Sequence, residues 1–97
     1  MFRVGRRFDG AWLQLVAAPA AQWPGQVGYV LGRRMMPRAV DRNRLRRRLR
    51  VNVTAARPEI ARFDIILRVR APTPRASVAE AACEAAALIQ RALTGVA

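Results

Sequence analysis

The sequence contains no histidine, no lysine and a single cysteine, Cys83. Without imidazole the chain has neither the usual neutral-pH general base nor the commonest nitrogen ligand for metals. One thiol without histidine makes neither a Cys–His dyad nor a structural zinc site. It also excludes an intramolecular disulfide and fits a reducing cytoplasm. The six carboxylates, Asp9, Asp41, Glu59, Asp64, Glu80 and Glu84, form no tight cluster in sequence. No glycine-rich phosphate loop of the Walker or dinucleotide kind is present. No apolar run approaches the roughly 20 residues needed to span a bilayer. The segment 1–7 is basic, but no uninterrupted apolar region or cleavage site of a signal peptide follows it. A chain so short of reactive groups reads as a binder that holds no cofactor of its own. If it serves an enzyme, the catalytic groups lie elsewhere.

What the chain has is arginine. Its 97 residues, enough for one domain with a modest core, carry a net charge of +12. Such an excess describes partners and steering rather than fold. Nucleic acid is the natural partner, and an anionic membrane surface is the other polyanion to consider. Seven arginines and one acid, Asp41, fall in the thirteen residues from Arg38 to Arg50. At 100° per residue, Asn43, Arg46, Arg47 and Arg50 share one helix face, and Leu45 and Leu49 lie together on another. A helix of this kind seats its leucines on a sheet and turns a cationic ridge outwards. Like charges three and four residues apart repel, so the cluster is unfavourable until a polyanion neutralises it. The planar guanidinium gives paired hydrogen bonds to phosphate and stacks on bases.

Around that helix the chain divides at its prolines and glycines. Residues 2–9 are a basic lead-in whose Gly5 argues against a continuing helix. The runs 11–17 and 26–32 read as strands, joined by a loop holding Pro19, Pro24 and Gly25. A short connection of this kind predicts an antiparallel hairpin. Pro37 introduces the basic helix, Asp41 suits its dipole, and the helix ends before Pro58. Residues 63–70 form the clearest strand, an apolar run ending in the alternation Leu67, Arg68, Val69, Arg70. After the stiff connector 71–75, Ser77 and Glu80 have capping-box spacing. The helix behind them places Val78, Ala82, Ala85, Ile89, Ala92 and Leu93 on one face and stops near Gly95. Cys83 is an ordinary small residue on this alanine-rich helix. The fold class is α+β: a small sandwich of a three- to four-stranded sheet with helices on one face.

The stretch Pro37-Arg38-Ala39-Val40-Asp41-Arg42-Asn43-Arg44-Leu45-Arg46-Arg47-Arg48-Leu49-Arg50 resembles the Arg-Asn-Arg motif of bacterial ribonuclease P protein subunits. Val27 to Arg34 resembles that family's strand of form Val-Gly-x-x-Val-Ser-Lys-Lys. Asp64 to Arg70 resembles its later strand, and Gly5-Arg6-Arg7 the approach to its first. Nearly the whole chain is covered, as one RNA-binding domain over residues 1–97. The pattern's early glycine is Pro37 here. The resemblance implies that the basic helix forms a left-handed β-α-β crossover, against the usual right-handed rule. It implies that the chain starts near the end of an N-terminal helix that family members carry. It also implies a function in tRNA processing: a non-catalytic subunit of an endoribonuclease that removes the 5′ leader of precursor tRNA, with magnesium held by the RNA subunit. The motif match carries RNA-subunit contact onto Arg42, Asn43, Arg44, Arg46, Arg47 and Arg50, and onto Arg33, Arg34 and Arg38. Leader binding falls to Phe2, Phe8 and Trp12, since aromatic faces stack on unpaired bases with little sequence preference. Ordinary core or edge packing is the competing role for Phe8 and Trp12. Arg48 and Asn52 lie beside Leu45 and Leu49 where apolar residues are expected, which thins the buried face and predicts marginal stability without RNA.

An alternative is another structured-RNA-binding protein, such as a ribosomal protein, using the same arginines. Composition does not separate the two, and the motif context favours ribonuclease P. A basic helix for DNA or a membrane surface fits poorly with three strands and no bulky apolar anchors.

Overall fold

The computed structural model describes residues 6–95. Its elements run β1 (Arg6–Asp9), β2 (Leu13–Pro19), β3 (Val27–Val30), α1 (Ala39–Ala55), a 3-10 turn (Glu59–Arg62), β4 (Phe63–Val69), a second 3-10 turn (Arg75–Ser77) and α2 (Val78–Gly95). The fold is the expected α+β sandwich, with four strands in one sheet. No helix among the described residues is long and apolar enough to cross a membrane.

The sheet order is β1-β2-β4-β3, and it corrects the expected hairpin. β2 pairs antiparallel with β1 and with β4, while β3 pairs parallel with β4 through the α1 crossover. β4 therefore sits between the two strands that are neighbours in sequence. It carries apolar residues on both faces, with Phe63, Ile65, Leu67 and Val69 buried and Ile66 half-buried opposite them. Such a strand belongs inside a sheet. β3 is short and contains Gly28, and an edge suits it. The connection 20–26 wraps around the start of β4 instead of folding back. Ala20 N–H donates to Arg62 O at 2.9 Å and Gly25 N–H to Ala61 O at 2.7 Å. Asp64 accepts from Ala21 N–H at 3.3 Å and Gln26 N–H at 2.9 Å.

Both helices contribute to one core on one side of the sheet. α1 supplies a narrow stripe, Leu45, Leu49 and Val53, at a spacing of four. α2 supplies a broad one, Val78, Ala81, Ala82, Ala85, Leu88, Ile89 and Ala92, with Leu93 half-buried. These meet Leu13, Leu15, Ile65 and Leu67 from the strands. Asn52 is no gap in the packing, because its Nδ2 donates to Ala82 O at 2.8 Å and joins the two helices. Arg48, in contrast, lies exposed at the mouth of the groove between them, near Cys83.

Two polar locks close the structure. Buried Asp41 takes Arg75 Nε at 3.3 Å, tying the start of α1 to the approach to α2. Glu84 reaches from α2 to the turn before β2, where its carboxylate accepts the N–H groups of Ala11, Trp12 and Leu13 at 2.7, 2.8 and 2.7 Å. A Cβ at Gly10 would meet the Glu84 carboxyl group, which would have to move off its three donors to make room.

The opposite face of the sheet carries no helix among the described residues. The register places Arg7, Val16, Ile66 and Gly28 in one row across it, and Asp9, Gln14, Arg68 and Val30 in the next.

Candidate nucleic-acid interface

α1 folds as its pattern dictates: leucines inward, arginines outward. Leu45 and Leu49 are fully buried. On the far side Asn43, Arg46, Arg47 and Arg50 line a shallow depression of about 380 Å³. Arg46 Nη1 donates to Asn43 Oδ1 at 3.0 Å, so the asparagine orients one guanidinium of the ridge. None of the α1 arginines forms an ion pair among the described residues, since the α1 acid, Asp41, faces Arg75. The ridge is thus an uncompensated cationic surface of planar donors, the chemistry that fits phosphodiesters.

The other arginines of the motif divide by environment. Arg42 braces the helix start, its Nη1 donating to Met36 O at 2.6 Å and Pro37 O at 3.0 Å. That contact occupies one nitrogen of the guanidinium and leaves its Nε and Nη2 groups for a ligand. Arg44 is exposed, and Arg38 is exposed at the N-cap position without capping the helix. Arg33 and Arg34 are exposed on a turn closed by Met35 and Met36 N–H on Gly32 O at 3.2 and 3.0 Å.

The aromatic candidates are placed differently from the ridge. Phe2 lies outside the described residues. Phe8 stands in register with Leu15 on the helix-covered face, half-buried against the core with the Arg91 guanidinium 5.5 Å from its ring centre. Trp12 is half-buried against the same core, and its backbone N–H is held by Glu84. Both rings are engaged in packing, and a strand crossing the open face would not stack on Phe8.

The sequence reading missed Tyr29 and Arg57. Tyr29 projects from β3 beneath α1, with Arg50 Cζ 5.9 Å from its ring centre. Burial pushes its phenol above the ordinary value of 10.0, and the nearby positive charges of Arg50 and Arg57 partly offset that rise. Tyr29 is the only tyrosine, so phenolate absorbance reports it alone. We expect alkaline titration of the folded chain to give a midpoint above that of the unfolded chain. The unfolded chain then loses its proton first, and stability falls as pH rises through that window. A folded midpoint equal to or below the unfolded one would contradict this burial.

A family model described as Ribonuclease P matches residues 1–93. The chain is 38% identical over 71 residues to the ribonuclease P protein component of Chloroflexus aggregans, covering 72% of this chain and 52% of that one. It is 38% identical over 93 residues to the component from Roseiflexus castenholzii, covering 94% and 72%. The chain thus spans about half the length of the Chloroflexus relatives. In fold it is similar to the Staphylococcus aureus RNase P protein, with a TM-score of 0.70 at 16% identity over 98% of this chain and 84% of that one. The Thermotoga maritima RNase P protein gives 0.67 at 18% identity over 95% and 84%.

Proposed function

Because the chain belongs to the ribonuclease P protein family, we propose that it is the RNA-binding subunit of ribonuclease P, assisting a catalytic RNA in removing the 5′ leader of precursor tRNA. The observation that carries this reading is the ridge of α1: arginines in an Arg-Asn-Arg context, facing solvent, with no carboxylate opposite. Arg42, Asn43, Arg44, Arg46, Arg47 and Arg50 contact the RNA subunit, with Arg33, Arg34 and Arg38 extending the same charged surface. The chain supplies position and charge, and the RNA subunit supplies the magnesium-dependent chemistry.

The leader crosses the helix-free face of the sheet, where Arg7 and Arg68 flank the apolar row of Val16 and Ile66. Those arginines take phosphates, and the row takes bases without reading them. The test is cleavage of precursor tRNA by a cognate RNA subunit at low magnesium, with and without this chain. We expect stimulation, because bound cationic side chains replace part of the counterion screening that magnesium otherwise supplies. Tight binding to the RNA subunit without stimulation would support the ridge and reject leader handling by this chain. Absence of both would reject the subunit reading and favour another structured-RNA binder.

A further inference from the structure

A second cationic hollow lies next to the ridge, between the outer edge of β3 and the C-terminal half of α1. It measures about 530 Å³ and is lined by Tyr29, Arg50, Thr54 and Arg57, with Gly25 and Gln26 at one end. No acidic residue lines it. The Tyr29 and Thr54 hydroxyls take no hydrogen bond within the described residues, and neither Arg50 nor Arg57 forms an ion pair there. Two guanidiniums, a phenol and an alcohol therefore surround one solvent-filled space, all able to donate and none engaged by a carboxylate. This is a donor set for an oxyanion.

The hollow is also part of a track. It shares Arg50 with the depression of the ridge. At its other end it shares Gly25 and Gln26 with a depression of about 560 Å³ that Trp23 and Asp64 line, the Asp64 carboxylate being engaged there by the N–H groups of Ala21 and Gln26. Trp23 is 73% exposed, the most exposed large apolar side chain among the described residues. A fixed loop holds it there, through the bonds of Gly25 to Ala61 and of Gln26 to Asp64. An exposed indole next to an unpaired oxyanion pocket is the pairing used to hold unpaired nucleotides, with the phosphate in the charged hollow and the base on the ring.

We propose that this track binds a single-stranded RNA segment leaving the arginine ridge, with a phosphodiester between Arg50 and Arg57 on the Tyr29 and Thr54 hydroxyls and an adjacent base stacked on Trp23. The oxyanion hollow lies on the α1 side of the sheet, since Tyr29 is in register with buried Leu67, so it is separate from the surface assigned above to the leader, whereas the Trp23 end reaches the sheet edge at Asp64, which shares the face of Ile66 and Arg68. It deepens the RNA-binding reading and rests on it.

The test uses the full chain, a short fluorescein-labelled oligouridylate and the RNA subunit as a second probe. Trp23→Ala should weaken oligouridylate binding by about 5- to 150-fold, the range for one lost base stack. Arg57→Gln should weaken it by about tenfold and flatten the log–log salt slope by about 0.7, the value for one single-strand phosphate contact. Tyr29→Phe keeps the ring and removes only the donor, and should weaken binding by about tenfold. Thermal melts matching the parent would confirm that the variants fold. If the chain binds the RNA subunit but not the oligouridylate, or binds it equally in all three variants, the track is wrong and the subunit reading stands. If inorganic phosphate competes as well as the oligonucleotide per phosphate group, the hollow is a free-anion site and the track is wrong. If the chain binds neither RNA, both readings fall.

Discussion

Replacing Glu84 by alanine should cost the fold about 2–4 kcal/mol, read as a lower denaturant midpoint at unchanged slope. For a domain of this size that corresponds to a melting temperature lower by on the order of 10–20 °C. The carboxylate accepts three consecutive backbone N–H groups, from Ala11, Trp12 and Leu13. The Ala11 donor is exposed and would turn to water, whereas those of Trp12 and Leu13 are partly buried. Each partly buried donor left unmet costs about 1–3 kcal/mol, and the losses overlap because one turn holds all three. Glu84→Gln keeps an acceptor oxygen for Trp12 and Leu13 and loses the charge, so about half the penalty should remain. Glu80→Ala, at an exposed position in the first turn of the same helix, removes only a favourable charge at the helix start and should cost no more than about 1 kcal/mol. If Glu84→Ala melted like Glu80→Ala, the lock would contribute nothing and α2 would be held by its apolar face alone.

Glu84 also marks where the sequence stops being readable. Both helices, the later strands and the cationic face are legible, because each is written in local periodicity: leucines at a spacing of four on α1, alternation in β4, an alanine-rich stripe on α2. The partner of Glu84 is a turn 71–73 residues away, and nothing in the spacing of six scattered acids points to it. The same holds for the sheet order. Pairing β2 with β3 follows from their closeness in sequence, but β4 is the strand with apolar residues on both faces and takes the interior place. One local sign was present: Asp64 is an unfavoured residue inside an apolar strand, and its carboxylate holds the ends of the loop that keeps β2 and β3 apart. Phe8 and Trp12 show the limit for site residues. An aromatic in a strand can face either side, and only the register with Leu15 places Phe8 against the core. Tyr29 and Arg57, separated by the whole of α1, become neighbours only once the crossover is formed.

Removing Arg46, Arg47 and Arg50 together should separate binding from folding in opposite directions. In the free chain these side chains repel one another at helical spacings of three and four, with no carboxylate among the described residues to relieve them. Alanine is also the better helix former. The triple variant should therefore melt at or above the parent temperature, less the small contribution of Arg50 over the Tyr29 ring. Its affinity for the RNA subunit should fall by about 100-fold or more at moderate salt, if each lost charge-assisted contact contributes roughly 1 kcal/mol or more. For the parent, about six arginines displacing counterions predict a slope of log affinity against log salt on the order of −4 to −5. The triple variant should lose about 2–3 units of that slope. Weaker binding at an unchanged slope would mean that the three arginines act through shape rather than phosphate contact. A lower melting temperature together with weaker binding would mean that the ridge helps hold α1 in place. Only a stable fold with a flattened salt dependence fits a helix whose leucines belong to the core and whose arginines belong to a polyanion.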